Sequence, residues 1–182
     1  MRFLLFGSLR GQKRRARDVD LVVQLEDGET VDEAMTRVAE IGPRVRKPIE
    51  LWLSRSESEP NVAGNYDHAS GCWAFWRRPG QPGFFRNLEP VTLDQVVRFA
   101  LATGPYGPAR RAGSAVVGGP DCAVRRGHDG WCYELDGDVG GPFPGPLEAA
   151  AGAEAAAKAR GALGPAQVLW FRLEAAVPTA ER

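Results

Sequence analysis

The chain is 182 residues long, 43% apolar and 25% charged, the composition of an ordinary folded domain with room for a modest second lobe. Its 23 basic and 23 acidic residues cancel, which argues against a general nucleic-acid coat or a polybasic membrane anchor. No apolar run reaches membrane-span length, only four apolar residues separate Arg2 from Gly7 where a secretory leader needs more, and Cys72, Cys122 and Cys132 cannot all pair. A reducing cytoplasm is therefore expected, and the abundance of Arg, Ala, Gly and Pro fits a GC-rich bacterial genome.

Arg2–Phe6 is a short apolar run stopped by Gly7-Ser8, which predicts a buried strand entering a tight turn. Residues 18–24 (DVDLVVQ) alternate acidic and apolar before turning β-branched, a second strand. Glu26-Asp27-Gly28 reads as a turn. Thr30 and Glu33 form a capping box ahead of Val31, Ala34, Met35, Val38 and Ile41 at helical spacing, with Gly42-Pro43 expected to stop the helix. Residues 49–53 (IELWL) are a third strand, and the polar residues 54–71 read as a long loop or lobe boundary.

Cys72–Arg77 and residues 83–86 are strand-like and aromatic. Thr92 and Gln95 give a second capping box, followed by Leu93, Val96, Val97 and Leu101 on one helical face up to Gly104-Pro105. Residues 114–118 and Trp131–Leu135 are short strand candidates, residues 140–146 a Gly/Pro breaker, residues 147–163 an Ala-rich helix ending at Gly164-Pro165, and residues 167–173 a closing strand. The three expected helices share a Gly-Pro stop, which reads first as three similar amphipathic helices and second as a unit repeated about every sixty residues.

Chemistry concentrates in residues 3–23, FLLFGSLRGQKRRARDVDLVV. From Arg2 to Arg17 there are six basic residues (Arg2, Arg10, Lys13, Arg14, Arg15, Arg17) and no acidic one, a local field that attracts a polyanion. Gly7 permits a close turn and backbone approach to a phosphate, and Ser8 adds a hydroxyl and amide groups able to hold phosphate oxygens. After nine intervening residues, Asp18 and Asp20 sit two apart on the expected strand and leave one face together. Carboxylates that close repel unless a cation joins them; with Mg²⁺ they become ligands bridging the metal to a triphosphate.

This segment resembles the signature of the DNA polymerase β-like nucleotidyltransferase superfamily, in which a strand ends in Gly-Ser and the next strand carries acidic–apolar–acidic–apolar residues. LFGSLRG followed by DVDLVV is especially similar to the minimal bacterial nucleotidyltransferases, with Arg10-Gly11 at their Arg-Gly position. The resemblance covers roughly the first third of the chain. It implies that Asp18 and Asp20 hold the metal that grips an NTP, with Gly7, Ser8, Arg10 and Lys13 on the nucleotide. A later carboxylate would serve the acceptor hydroxyl or a second metal. Glu50, in Pro48-Ile49-Glu50-Leu51, is the candidate, a glutamate where the family usually has aspartate. The family also usually carries a helix ahead of the first strand, whereas Arg2 directly follows Met1 here.

The expected architecture is α/β (α+β), a mixed sheet with flanking helices: a nucleotidyltransferase-like core over residues 1–57 and a carboxy-terminal extension over 58–182 that builds the acceptor side. The expected activity is Mg²⁺-dependent transfer of NMP to a hydroxyl of a protein, a tRNA or another RNA end, or a small molecule, in a toxin–antitoxin setting with a partner protein and no membrane. The rivals are a non-catalytic immunity- or antitoxin-type binder that keeps the fold, and an antibiotic-modifying nucleotidyltransferase.

Secondary signals are weaker. His68, Cys72, Cys122, His128 and Cys132 match no compact zinc spacing. Trp73, Phe75, Trp76, Phe84 and Phe85 read as a core sheet before they read as a stacking platform. Glu89 and Asp94 are alternatives for an acceptor-side base, and residues 138–146 are Gly-rich without the Lys and Ser/Thr of a P-loop.

Overall fold

The computed structural model describes residues 1–10, 16–55, 62–77, 85, 87–104, 122–165 and 167–174. The protein is α+β, with two mixed sheets and four helices among these residues. It forms two compact units, one of Met1–Gly71 with Trp76–Arg110, the other of Cys72–Phe75 with Arg111–Arg182.

The first unit begins with β1 (Arg2–Phe6), the helical turn α1 (Gly7–Arg10), β2 (Val19–Gln24), α2 (Val31–Val45) and β3 (Ile49–Ser54). It continues with β4 (Val62–Asp67), β5 (Cys72–Arg77, shared with the second unit), β6 (Glu89–Val91) and α3 (Leu93–Ala102). The strand order is β5-β4-β3-β2-β1-β6. β1 pairs antiparallel with β2 and β6, β2 runs parallel to β3 across the α2 crossover, and β3 is antiparallel to β4.

Strand alternation gives this sheet two distinct faces. Val19, Ile49 and Tyr66 occupy one cross-strand row, and a Cβ added at Gly42 of α2 would overlap the Tyr66 ring. α2 therefore lies on the Val19–Ile49–Tyr66 face, where Leu5, Leu21 and Leu51 are also fully buried. The opposite face carries Leu4, Phe6, Val22 and Trp52 as an apolar cluster, covered by Phe85 and Leu88. Phe85 meets Phe6 and Trp52 edge-on at centroid distances of 5.6 and 5.1 Å.

Helix starts follow local chemistry. The Glu33 carboxylate accepts from the Thr30 N–H at 3.1 Å; around α3, Thr92 N–H donates to Gln95 Oε1 at 2.7 Å and Gln95 N–H to Thr92 Oγ1 at 3.2 Å. Of the three expected Gly-Pro stops, only the one that begins at Gly104 lies at the end of its helix. α2 runs through Gly42 and Pro43 to a left-handed Arg46, whose N–H caps the Gly42 carbonyl at 3.1 Å. Pro43 forfeits one helical bond near the end of the helix, and packing of Gly42 against Tyr66 holds the last turn in place. α3 ends at Ala102 with Thr103 as its C-cap, followed by a left-handed Gly104 at φ 76°, and Pro105 lies outside the described residues. Leu101, expected on its buried face, is 58% exposed, while Ala100 is buried instead.

The second unit contains β7 (Cys122–Arg126), β8 (Trp131–Leu135), β9 (Asp138–Phe143), α4 (Pro146–Ala159) and β10 (Arg172–Glu174), with strand order β10-β7-β8-β9. Ala149, Ala153 and Ala157 form the buried stripe of α4. Trp73 and Phe171 exchange two backbone hydrogen bonds, at 2.7 and 2.8 Å, and the Trp73, Phe75 and Phe171 rings stack in succession at 5.6 and 5.7 Å.

Several expected boundaries change. Residues 54–71 hold β4 rather than a continuous loop, because β3 offers Val62–Tyr66 an antiparallel ladder. Residues 140–146 include most of β9, paired to β8 in spite of their Gly and Pro content. α4 ends at Ala159, well before Gly164-Pro165. The closing strand is only Arg172–Glu174, preceded by the Phe171 bridge. β7 has no counterpart among the expected strands. Residues 114–118 and most of 83–86 fall outside the described residues. β4, β6 and α3, all beyond residue 57, belong to the first unit.

Candidate functional site

The site lies on the sheet face opposite α2, in a single cross-strand row. Phe6 pairs with Asp20, Asp20 with Glu50, and Glu50 with Asn65. In-register neighbours on adjacent strands are about 5 Å apart, so Asp20 has a carboxylate strand partner on one side and the end of β1 on the other. Asp18 is not on the strand as expected: β2 begins at Val19, and Asp18 occupies the bend before it. It remains in electrostatic contact with Asp20.

Burial, then the charges of Asp18 and Glu50, push the Asp20 carboxyl up to about 7, against the lowering influence of a hydrogen bond from the Ser8 backbone N–H. Gly7 makes this contact possible. It adopts φ 71°, and a Cβ there would overlap Asp20 Oδ2. The Ser8 amide, expected to face phosphate, is thus engaged by Asp20. Glu50 is held by Trp52, whose Nε1–H donates to Glu50 Oε1 at 2.8 Å; among the described residues no donor meets the other carboxylate oxygen. Arg10 is exposed and paired with Glu89 at 3.5 Å, while Arg44 engages Asp94 at 3.3 Å. Glu89 and Asp94, the alternatives for an acceptor-side base, are thus both engaged in exposed ion pairs. Lys13 lies outside the described residues.

Two site residues escaped the sequence reading. Asn65 is 6% exposed and shares the Asp20–Glu50 row; it sits in β4, whose Val-Ala-Gly-Asn run is too short of large apolar residues to announce a strand. Lys47 is 1% exposed, with Nζ donating to the Ala16 carbonyl at 2.7 Å. Burial lowers its pKa, and the charge of Asp18 works in the other direction. An isolated Lys-Pro before a strand carries no signal that its ammonium turns inward.

Among the described residues no three His, Cys, Asp or Glu side chains are gathered in metal-holding geometry. Mg²⁺ is ordinarily held by one or two carboxylates together with substrate phosphates. Asp18 and Asp20 supply that number of hard oxygen donors, and the repulsion borne by Asp20 is of the kind a cation relieves. The donor set therefore fits. No helix of the described residues is long and apolar enough to cross a membrane. Comparison with protein-family models, with curated proteins and with solved structures finds no match.

Proposed function

We propose that this chain is a Mg²⁺-dependent nucleotidyltransferase that transfers NMP from an NTP to a hydroxyl of a protein, an RNA end such as that of a tRNA, or a small molecule, releasing pyrophosphate. One observation carries the reading: Asp20 is pressed against two further acids, Asp18 and Glu50, at the mouth of a glycine turn that tolerates no side chain. A fold that sets Asp20 against two other acids pays in stability, and a triphosphate-bound cation is a partner that would offset the repulsion.

Asp18 and Asp20 would hold the cation, which would neutralise charge on the triphosphate. Arg10 and Lys13 would steer the polyanion from the basic segment. Glu50, fixed by Trp52, would accept the proton of the acceptor hydroxyl as its oxygen attacks the α-phosphorus and the bond to the leaving pyrophosphate breaks. Orientation and charge neutralisation would provide most of the acceleration. An NTP substrate suits the cytoplasm, and a toxin–antitoxin pair with a partner protein is the proposed setting.

Calorimetric titration with NTP and Mg²⁺ tests the class: metal-dependent binding abolished by Asp20→Ala supports an enzyme, and its absence from the wild-type protein leaves the non-catalytic binder. Labelled NTPs offered with protein, tRNA and aminoglycoside-like acceptors then separate the possible substrates.

A further inference from the structure

Lysine is almost never fully buried without a partner, yet Lys47 is 1% exposed. Its ammonium donates to the carbonyl of Ala16, itself buried. One residue further along, the Pro48 carbonyl accepts the Val19 N–H at 2.9 Å. Residues 47 and 48 thus grip residues 16 and 19 at two points, and Asp18 lies between the points. Beyond them the β2–β3 ladder begins at Val19 and Ile49. The left-handed Arg46 that ends α2 turns the chain into this grip.

We infer that Lys47 is a positioning residue that holds the bend at residues 16–18 against the start of β3, so that Asp18 is presented beside Asp20. The inference rests on the nucleotidyltransferase reading for what Asp18 does, but not for how it is held. Lys47 is 1% exposed with its ammonium on the Ala16 carbonyl, so its route to Asp18 runs through the bend.

Charge and positioning predict opposite signs. Removing a buried cation beside an acidic cluster should, by Coulomb's law alone, tighten binding of a divalent cation. Removing the grip should weaken it, by the ~10–100-fold typical when the support of a metal ligand is lost. Mn²⁺ alone and Mn²⁺ with ATP are titrated into the full chain by electron paramagnetic resonance at about pH 8.5, where Asp20 is ionised. Amide hydrogen exchange at Val19, whose N–H donates to the Pro48 carbonyl, and at Leu5 is measured without metal. Lys47→Met is expected to weaken Mn²⁺ binding and to speed exchange at Val19 but not at Leu5. Val97→Ala, a core truncation in α3, is expected to lower stability while leaving Mn²⁺ affinity intact.

Equal or tighter Mn²⁺ binding by Lys47→Met, or unchanged exchange at Val19, overturns the inference. If Lys47→Met does not fold, the shorter and uncharged Lys47→Gln takes its place, with weaker binding expected and equal or tighter binding decisive against. A wild-type protein that takes up no Mn²⁺ even with ATP overturns the nucleotidyltransferase reading and this inference together; wild-type binding matched by the variant overturns this inference alone.

Discussion

Asp20 and Glu50 stand in register on the parallel strands β2 and β3, and the charge of Glu50, after burial and the charge of Asp18, helps push the Asp20 carboxyl up to about 7. The pairing joins the fold to the proposed chemistry, because a parallel ladder leaves the two side chains on one face with no backbone between them.

Stability should therefore fall with rising pH through the Asp20 range. The unfolded aspartate titrates near 3.9, so between there and about 7 the folded state binds more protons than the unfolded one, and the slope is negative. The contribution is fully present below about pH 4 and is lost by about pH 7, with an upper limit near 4 kcal/mol at ~1.36 kcal/mol per pH unit. Asp20→Asn is expected to match the wild type at about pH 4, to exceed it in urea denaturation at about pH 8, and to lose metal-dependent NTP binding. A variant no more stable than the wild type at pH 8 contradicts the account.

Gly7→Ala should be harmful twice over. The residue is left-handed at φ 71°, which costs an L side chain about 1–2 kcal/mol, and the new methyl would collide with the Asp20 carboxylate. We expect a loss of at least about 2 kcal/mol in denaturant titration, together with weakened Mn²⁺ uptake. Preserved affinity would show that Asp20 does not need its present position.

Gly42→Ala reverses the usual helix rule. Alanine is ordinarily the better helix former by about 1 kcal/mol, but a Cβ here would strike the Tyr66 ring. Destabilisation by about 1–3 kcal/mol, the scale of overpacking, is expected by thermal melting. Gly42→Ala combined with Tyr66→Leu should recover part of it.

The start of α3 offers a graded comparison. Thr92→Ala removes an N-cap acceptor and should cost about 1 kcal/mol. Arg44→Ala removes only an exposed pair with Asp94, whose side chains are 58% and 78% accessible, and should change stability by less than about 0.5 kcal/mol. Chemical denaturation resolves the difference, and neither change should alter Mn²⁺ binding.

Local chemistry wrote β1, both capping boxes and the Gly-Ser turn plainly into the sequence, since each depends on residues within a few positions of one another. Asp20 and Glu50 sit in apolar strands as their local sequence suggests, whereas Asp18, expected beside Asp20 on the strand by its spacing, lies in the bend before β2. Tertiary pairing decided the rest. β4 and β9 exist because β3 and β8 offer ladders that outweigh weak intrinsic preference. Gly42-Pro43 stays helical because Tyr66, distant in sequence, packs on it. Lys47 and Asn65 enter the site through register and burial alone, and no local pattern encodes which way a single polar side chain turns once two distant segments meet.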